Sequence, residues 1–132
     1  MLKLEIVTPE KRVLDAEVDS VTVPTASGEA GILPQHAPLV SALKPGVLAY
    51  SVKGSTDRIA VSSGFVEVNN DKVAVLVDTA ETADEIDATT ARTDRDAAEK
   101  SASASGTLTA EEAATARENI DLADARLAVA GR

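Results

Sequence analysis

Two hydrophobic periods divide the chain near residue 80. Up to that point apolar and polar positions alternate. Leu2, Leu4 and Ile6 are interleaved with Lys3 and Glu5, and Val21 and Val23 with Ser20, Thr22 and Pro24. That is the period of half-buried strands. The same reading predicts strands over 11–16, 46–52, 58–62, 65–69 and 72–78. Turn residues separate them at Thr8-Pro9, Lys53-Gly54-Ser55 and Asn69-Asn70-Asp71. Strands this short and closely spaced predict a β sandwich, a flattened antiparallel barrel of about ten short strands. Gly28-Glu29-Ala30-Gly31 reads as a tight turn between two of them.

Beyond residue 80 the period lengthens to that of a helix. Asp84-Glu85-Ile86-Asp87 places acids where a helix N-terminus favours them, with Asp84 as the N-cap, and the first helix is expected to run to about residue 101. Ser103-Ala104-Ser105-Gly106 then breaks it. Thr109-Ala110-Glu111-Glu112 has the spacing of a capping box and opens a second helix. Along that helix Ala113, Ala116, Ile120, Ala123, Leu127 and Ala130 form a heptad-like seam of mostly small residues. Two helices and a short loop predict an antiparallel α-helical hairpin. The expected domains are 1–84 and 85–132. Each alanine methyl in the seam contributes about 0.8 kcal/mol and Ile120 and Leu127 about 1.5 to 3 kcal/mol each. Ordering each helical residue costs about 1 to 2 kcal/mol before hydrogen bonding offsets it. Such a hairpin depends on what it docks against and is suited to switching between two arrangements.

Composition changes at the same boundary. All five prolines fall in residues 1–79, whereas 16 of the 24 alanines fall in 80–132. The net charge of −9 divides into −3 for the first part (7 basic, 10 acidic) and −6 for the second (6 and 12), so the hairpin is the more soluble part. An acidic chain whose only aromatics are Tyr50 and Phe65 repels phosphate backbones and offers bases no stacking platform. The absence of cysteine excludes disulfides and thiolate chemistry, and a lone His36 does not make a zinc site. Apolar runs such as Val73-Ala74-Val75-Leu76-Val77 fall far short of the roughly eighteen residues of a membrane span. The N-terminal segment lacks the continuous apolar stretch of a secretory leader, and a mature cytosolic chain is expected.

Candidate chemistry is scarce. Gly28 and Gly31 have no following lysine and do not form a phosphate cradle. His36 stands in a rigid loop, Pro34-Gln35-His36-Ala37-Pro38, but no serine or cysteine nucleophile accompanies it in a recognised context, which favours an interface or structural role. The acidic groups at 81–87, Asp94 and Asp96, and Glu111 and Glu112 lack the spacing of a calcium loop and suit helix starts and solvent faces. No catalytic residue, metal or cofactor is expected.

The stretch Gly28-Glu29-Ala30-Gly31-Ile32-Leu33-Pro34-Gln35-His36-Ala37-Pro38-Leu39-Val40, followed by Leu43-Lys44-Pro45-Gly46, resembles the signature of the epsilon subunit of bacterial F-type, proton-translocating ATP synthases. Gly64-Phe65-Val66-Glu67-Val68, then Val73-Ala74-Val75-Leu76-Val77-Asp78 and Ala80-Glu81, continue the resemblance in order. It is specific over residues 1–87 and compositional beyond them. The resemblance implies a non-catalytic subunit of the rotor's central stalk. Its sandwich would bind the gamma subunit and sit on the ring of c subunits, coupling proton-driven rotation to ATP synthesis in the catalytic head. Its hairpin would either fold down on the sandwich or extend along gamma to the alpha and beta chains and inhibit ATP hydrolysis. The resemblance places Glu29 in a loop facing the c ring and His36 near gamma and the ring, with Gly31, Leu33 and Pro38 in the same interface. The implied location is the cytoplasmic side of the bacterial inner membrane, peripheral through the complex.

The chain departs from that pattern at three places. Gln35 stands where a glycine between proline and histidine is usual, and Ser63 where a second glycine often precedes Gly-Phe. Some members bind ATP through Ile/Leu-Asp-x-x-Arg-Ala at the start of the first helix. Here Ile86-Asp87-Ala88-Thr89-Thr90-Ala91 has Thr90 at the arginine position, and Arg92 follows about 200° further round the helix. Asp87, Arg92 and Arg126 are the remaining candidates for a nucleotide. Two further readings of the residues are a free-standing adaptor, with a peptide-binding sandwich and an oligomerising hairpin, and a hydrolase built on His36.

Overall fold

The computed structural model describes residues 1–103 and 109–131. The strands are β1 (Leu2–Val7), β2 (Arg12–Val18), β3 (Ser20–Thr25), β4 (Gly28–Ile32), β5 (Leu39–Leu43), β6 (Gly46–Val52), β7 (Ser55–Val61), β8 (Gly64–Asn69), β9 (Lys72–Val77) and β10 (Ala80–Thr82). A 3₁₀ turn at Ala83–Glu85 leads to α1 (Ala88–Ser103) and α2 (Ala110–Ala130). The expected helix break at Ser103-Ala104-Ser105-Gly106 lies mostly outside the described residues; Ser103 itself is the last residue of α1.

The strands form one sheet in the order β10-β7-β6-β3-β5-β8-β9-β1-β2, with β4 added to β3. Between β3 and β5 the ladder narrows to Thr25 opposite Leu43, and the sheet folds back on itself there. Leu2, Leu4, Ile6 and Val75 of one layer thereby share a core with Val21, Val23, Leu48 and Ile59 of the other. The alternation read along β1 holds: Leu2, Leu4 and Ile6 are fully buried while Lys3 is exposed. The two predicted turns at 53–54 and 70–71 are two-residue hairpin loops whose central residues all have positive φ, from +50° to +82°, the backbone that matches strand twist.

Three expectations are corrected. One ladder is parallel: β1 lies between β2 and β9 and runs parallel to β9, with Leu4 opposite Val73. Such a pairing joins distant parts of the chain and leaves no turn signal. Residues 28–31 are a strand; the turn precedes them at 26–27, and β4 pairs with β3 from Gly28 opposite Thr25 to Ile32 opposite Val21. Its two glycines conceal it, because they contribute no β-forming side chain. The first helix is capped by Asp87, not Asp84: the Asp87 carboxylate accepts the N–H groups of Thr89 at 3.0 Å and Thr90 at 3.1 Å. Asp84 and Glu85 belong to the 3₁₀ turn, where Glu85 accepts the Thr82 N–H at 3.0 Å.

The capping box of α2 is present, with Glu112 N–H donating to Thr109 Oγ1 at 3.1 Å. The seam differs from the heptad reading. Ala116 and Ala123 are buried, Ile120, Leu127 and Ala130 are half-buried, and Ala113 is exposed. A second apolar stripe, Ala125 and Val129, packs on Ala60 with Val47, Ala83 and Ile86 around it. The hairpin is therefore folded down: α2 lies on β6, β7 and β10, and α1 packs on α2. A helix wedged between two neighbours needs two stripes, and one heptad seam describes only one of them.

Candidate functional site

β4 is an edge strand, paired with β3 alone. Its alternation points Glu29 and Gly31 outward and buries Ile32, and the exposed face continues into Leu33, which is 63% exposed. Three of the five interface residues expected from the sequence thus share one outward face. The chain then turns through Pro34, with the His36 N–H donating to the Leu33 carbonyl at 3.2 Å. His36 is half-buried, its Nδ1 lying 2.7 Å from the Ala37 carbonyl, and Pro38 is exposed. Gly31 differs from the chain's structural glycines. A Cβ on Gly64 would lie 2.0 Å from the Leu76 carbonyl oxygen, and one on Gly46 2.7 Å from Pro24 Cβ, whereas a Cβ on Gly31 meets nothing within 4 Å. The chain's own fold does not require a glycine at 31.

A second surface was not singled out from the sequence as functional. The outer face of β5, β8, β9 and β1 carries a cross-strand apolar row, Ala42 opposite Phe65, Phe65 opposite Leu76 and Leu76 opposite Val7. Phe65 is 59% and Leu76 51% exposed, and Val40 beside them is 73% exposed. An open groove of about 620 Å³ runs along this row, with Pro9 and Gly64 among its walls. The signal lay in the run Val73-Ala74-Val75-Leu76-Val77, which is apolar on both faces of its strand and so expects cover on both.

On the opposite layer, charge reinforces the small hairpin interface. Arg126 of α2, only 17% exposed in its side chain, joins three elements. Its Nη2 donates to Glu81 of β10 at 3.4 Å and its Nη1 to Asp94 of α1 at 3.3 Å. Its Nε is 2.9 Å from Glu81 Oε1 but is not aligned to donate, so that contact is Coulombic. Arg95 of α1 binds Asp124 of α2 and, at 2.8 Å, Glu99. The hydrogen bond to Asp124, followed by the charges of Asp124 and Glu99, raises the pKa of Arg95 further.

The three nucleotide candidates are not gathered. Asp87 is engaged as a cap, and the backbone N–H of Thr90 holds its carboxyl below the usual range. Arg126 is engaged by two carboxylates. Arg92 is exposed one turn along α1. The groove between α1 and α2, about 320 Å³, is lined by Asp94, Asn119, Leu122 and Arg126, and neither Asp87 nor Arg92 reaches it. Glu81, Glu85, Asp87 and Asp94 serve as pair partners and caps, and among the described residues no three histidine or acidic side chains converge on a cation position.

Residues 1–83 match the family model described as the ATP synthase delta/epsilon chain β-sandwich domain. An ATP synthase epsilon chain from Desulforamulus reducens is 50% identical over 104 residues, 79% of this chain and 79% of that relative. The chain belongs to the ATP synthase epsilon-chain family. A second epsilon chain, from Desulfitobacterium hafniense, is 42% identical over 126 residues, spanning 96% of this chain and 86% of the relative, and so extends the likeness through the hairpin. The fold recurs in a structure of the Euglena gracilis mitochondrial ATP synthase OSCP/F1/c-ring, at a TM-score of 0.81 and 23% identity over 99% of this chain and 81% of that one. It recurs in the central stalk/c-ring of the Tetrahymena thermophila mitochondrial enzyme at a TM-score of 0.66 and 16% identity, covering 98% and 96%. As an epsilon chain it is a non-catalytic subunit of the synthase, and no described helix is long and apolar enough to cross a membrane.

Proposed function

We propose that this epsilon chain is a rotor subunit of the central stalk. Its sandwich docks gamma through the apolar row Val7, Ala42, Phe65 and Leu76, and docks the c ring through the outward face of β4 and the loop at 33–38. The observation that carries this reading is the separation of surfaces. The hairpin covers β6 and β7 and leaves the apolar row on the other layer open. A bare Phe-Leu row on a sheet face is the expected mark of a permanent protein partner. Gly31, free of internal constraint, suits the close approach of another backbone.

The domains divide the work. Residues 1–84 assemble and couple, and residues 85–132 regulate. In the folded-down state the hairpin is held by alanines and by the Arg126 charge pairs. In the extended state it reaches along gamma to the alpha and beta chains and slows ATP hydrolysis. The chain sits on the cytoplasmic side of the bacterial inner membrane, held there by the complex, and needs no nucleotide or other cofactor.

Reconstitution with purified gamma tests the docking face. Phe65→Glu places a charge in the row without entering the core, and it is expected to weaken gamma binding by at least roughly a hundredfold, in keeping with loss of an interface anchor. Its melting temperature should stay within a few degrees of wild type. Undiminished gamma binding by Phe65→Glu rules out this face.

A further inference from the structure

The loop at 33–38 opens with a β-turn, closed by the His36 N–H donating to the Leu33 carbonyl, with Pro34 and Gln35 at its two central positions. Gln35 has φ +67°, a left-handed conformation that a Cβ disfavours and glycine adopts freely. The turn's own hydrogen bond favours that conformation at its third residue, but Leu33, Pro34, Gln35 and Pro38 are all exposed, so packing adds little to it. A second support comes from 36 residues away: Asp71 Oδ1 accepts the Gln35 N–H at 2.6 Å. Asp71 is itself held firmly. It sits at φ +60° in the two-residue turn between β8 and β9, and its carbonyl accepts the Lys3 N–H at 2.8 Å. One residue therefore ties together the start of β1, the β8–β9 turn and the loop. A carboxylate accepting a backbone N–H makes a short, charge-assisted bond suited to this task.

We propose that Asp71 is a positioning residue: its carboxylate anchors the turn at Gln35 to the β8–β9 hairpin and so presents His36 and Pro38 to the c ring in one fixed arrangement. The inference rests on the reading of this loop as ring-facing. A loop already in its bound shape pays no ordering entropy on contact, so loosening it weakens docking while the sandwich core stays intact.

Variants of the full chain at Asp71 and Gln35, with His36→Ala as the control for the loop's contact with the ring, separate the possibilities. Asp71→Gly removes the carboxylate without straining its own positive φ. Asp71→Asn keeps an acceptor oxygen and tolerates the left-handed region. Gln35→Gly relieves the strain of the positive φ without supplying a tie. Each is measured by amide exchange at position 35 and by affinity for a detergent-solubilised c ring carrying gamma. Asp71→Gly is expected to speed exchange at Gln35 and weaken ring binding, each by about tenfold or more, the worth of one hydrogen bond to a charged group. Asp71→Asn, which keeps an acceptor oxygen without the charge, should fall between wild type and Asp71→Gly in both. Adding Gln35→Gly to Asp71→Gly should recover only part of the binding, because glycine relieves the left-handed strain but leaves the loop unordered.

Unchanged exchange at Gln35 in Asp71→Gly overturns the proposal. So does an Asp71→Asn variant as weak as Asp71→Gly, because the acceptor oxygen is then not what matters. Ring binding that is lost in His36→Ala but kept in Asp71→Gly overturns it too. Faster exchange with binding unchanged in Asp71→Gly and His36→Ala alike overturns the ring-facing reading of the loop and leaves Asp71's hold on it standing.

Discussion

At the scale of single residues, Gly64 and Gly31 separate what the fold demands from what a partner demands. The space for a Cβ at Gly64 is filled by the Leu76 carbonyl oxygen, whereas Gly31 opens on solvent. Gly64→Ala must push two strands apart and should cost more than about 3 kcal/mol, the range of severe core damage. Gly31→Ala should leave the free energy of unfolding within about 0.5 kcal/mol of wild type, as for other unconstrained surface sites, yet reduce docking on the c ring. Paired chemical denaturation and ring-binding measurements check both, and equal destabilisation by the two changes contradicts the distinction. The sequence marks both residues as glycine and cannot rank them, because the close approach of Leu76 arises only when β8 and β9 pair. Phe65 was equally legible as a strand residue, but its outward direction follows from which of its neighbours, Val66 and Val68, enter the core.

At the scale of elements, strands marked by alternation or by an apolar run between turn residues were readable, and those without either mark were not. β1 declares itself by period, and β6, β8 and β9 by apolar runs bounded by turn residues. β4 hides behind Gly28 and Gly31, and β10 is only three residues long. The parallel pairing of β1 with β9 depends on contacts between residues about seventy positions apart, which local pattern does not encode. In the hairpin the cap of α2 was legible from Thr109 and Glu112, but the stripe Ala125 and Val129 was missed because the sandwich surface it meets is not visible in a helical period. Arg126 was visible only as a cation; its role follows from Glu81 and Asp94 arriving from two other elements. Arg126→Ala removes those bonds and leaves two carboxylates together. Docking of α2 should weaken by about 1.5 to 3 kcal/mol, read as roughly ten- to a hundredfold faster amide exchange along α2 with β1 and β9 unaffected. Unchanged exchange in α2 shows that the alanine stripe alone holds the hairpin.

At the scale of the whole molecule, the two parts differ in how much they bury. The sandwich has its own aliphatic core drawn from both layers, while the hairpin rests on Ala60 through Ala125 and Val129 and on a few charge pairs. A partner state that favours the extended hairpin by only a few kcal/mol is enough to shift such a population. The acidic surplus lies mainly in residues 80–132, which keeps the hairpin soluble when it leaves the sandwich. The most direct measurement is made on ATP synthase reassembled with residues 1–84 in place of the full chain. Proton-driven ATP synthesis and gamma binding are expected to persist, and ATP hydrolysis to rise to the rate of a synthase freed of hairpin inhibition. An unfolded circular dichroism spectrum for residues 1–84, or failed coupling despite normal assembly, contradicts an autonomous coupling sandwich; unchanged hydrolysis contradicts the regulatory role of the hairpin.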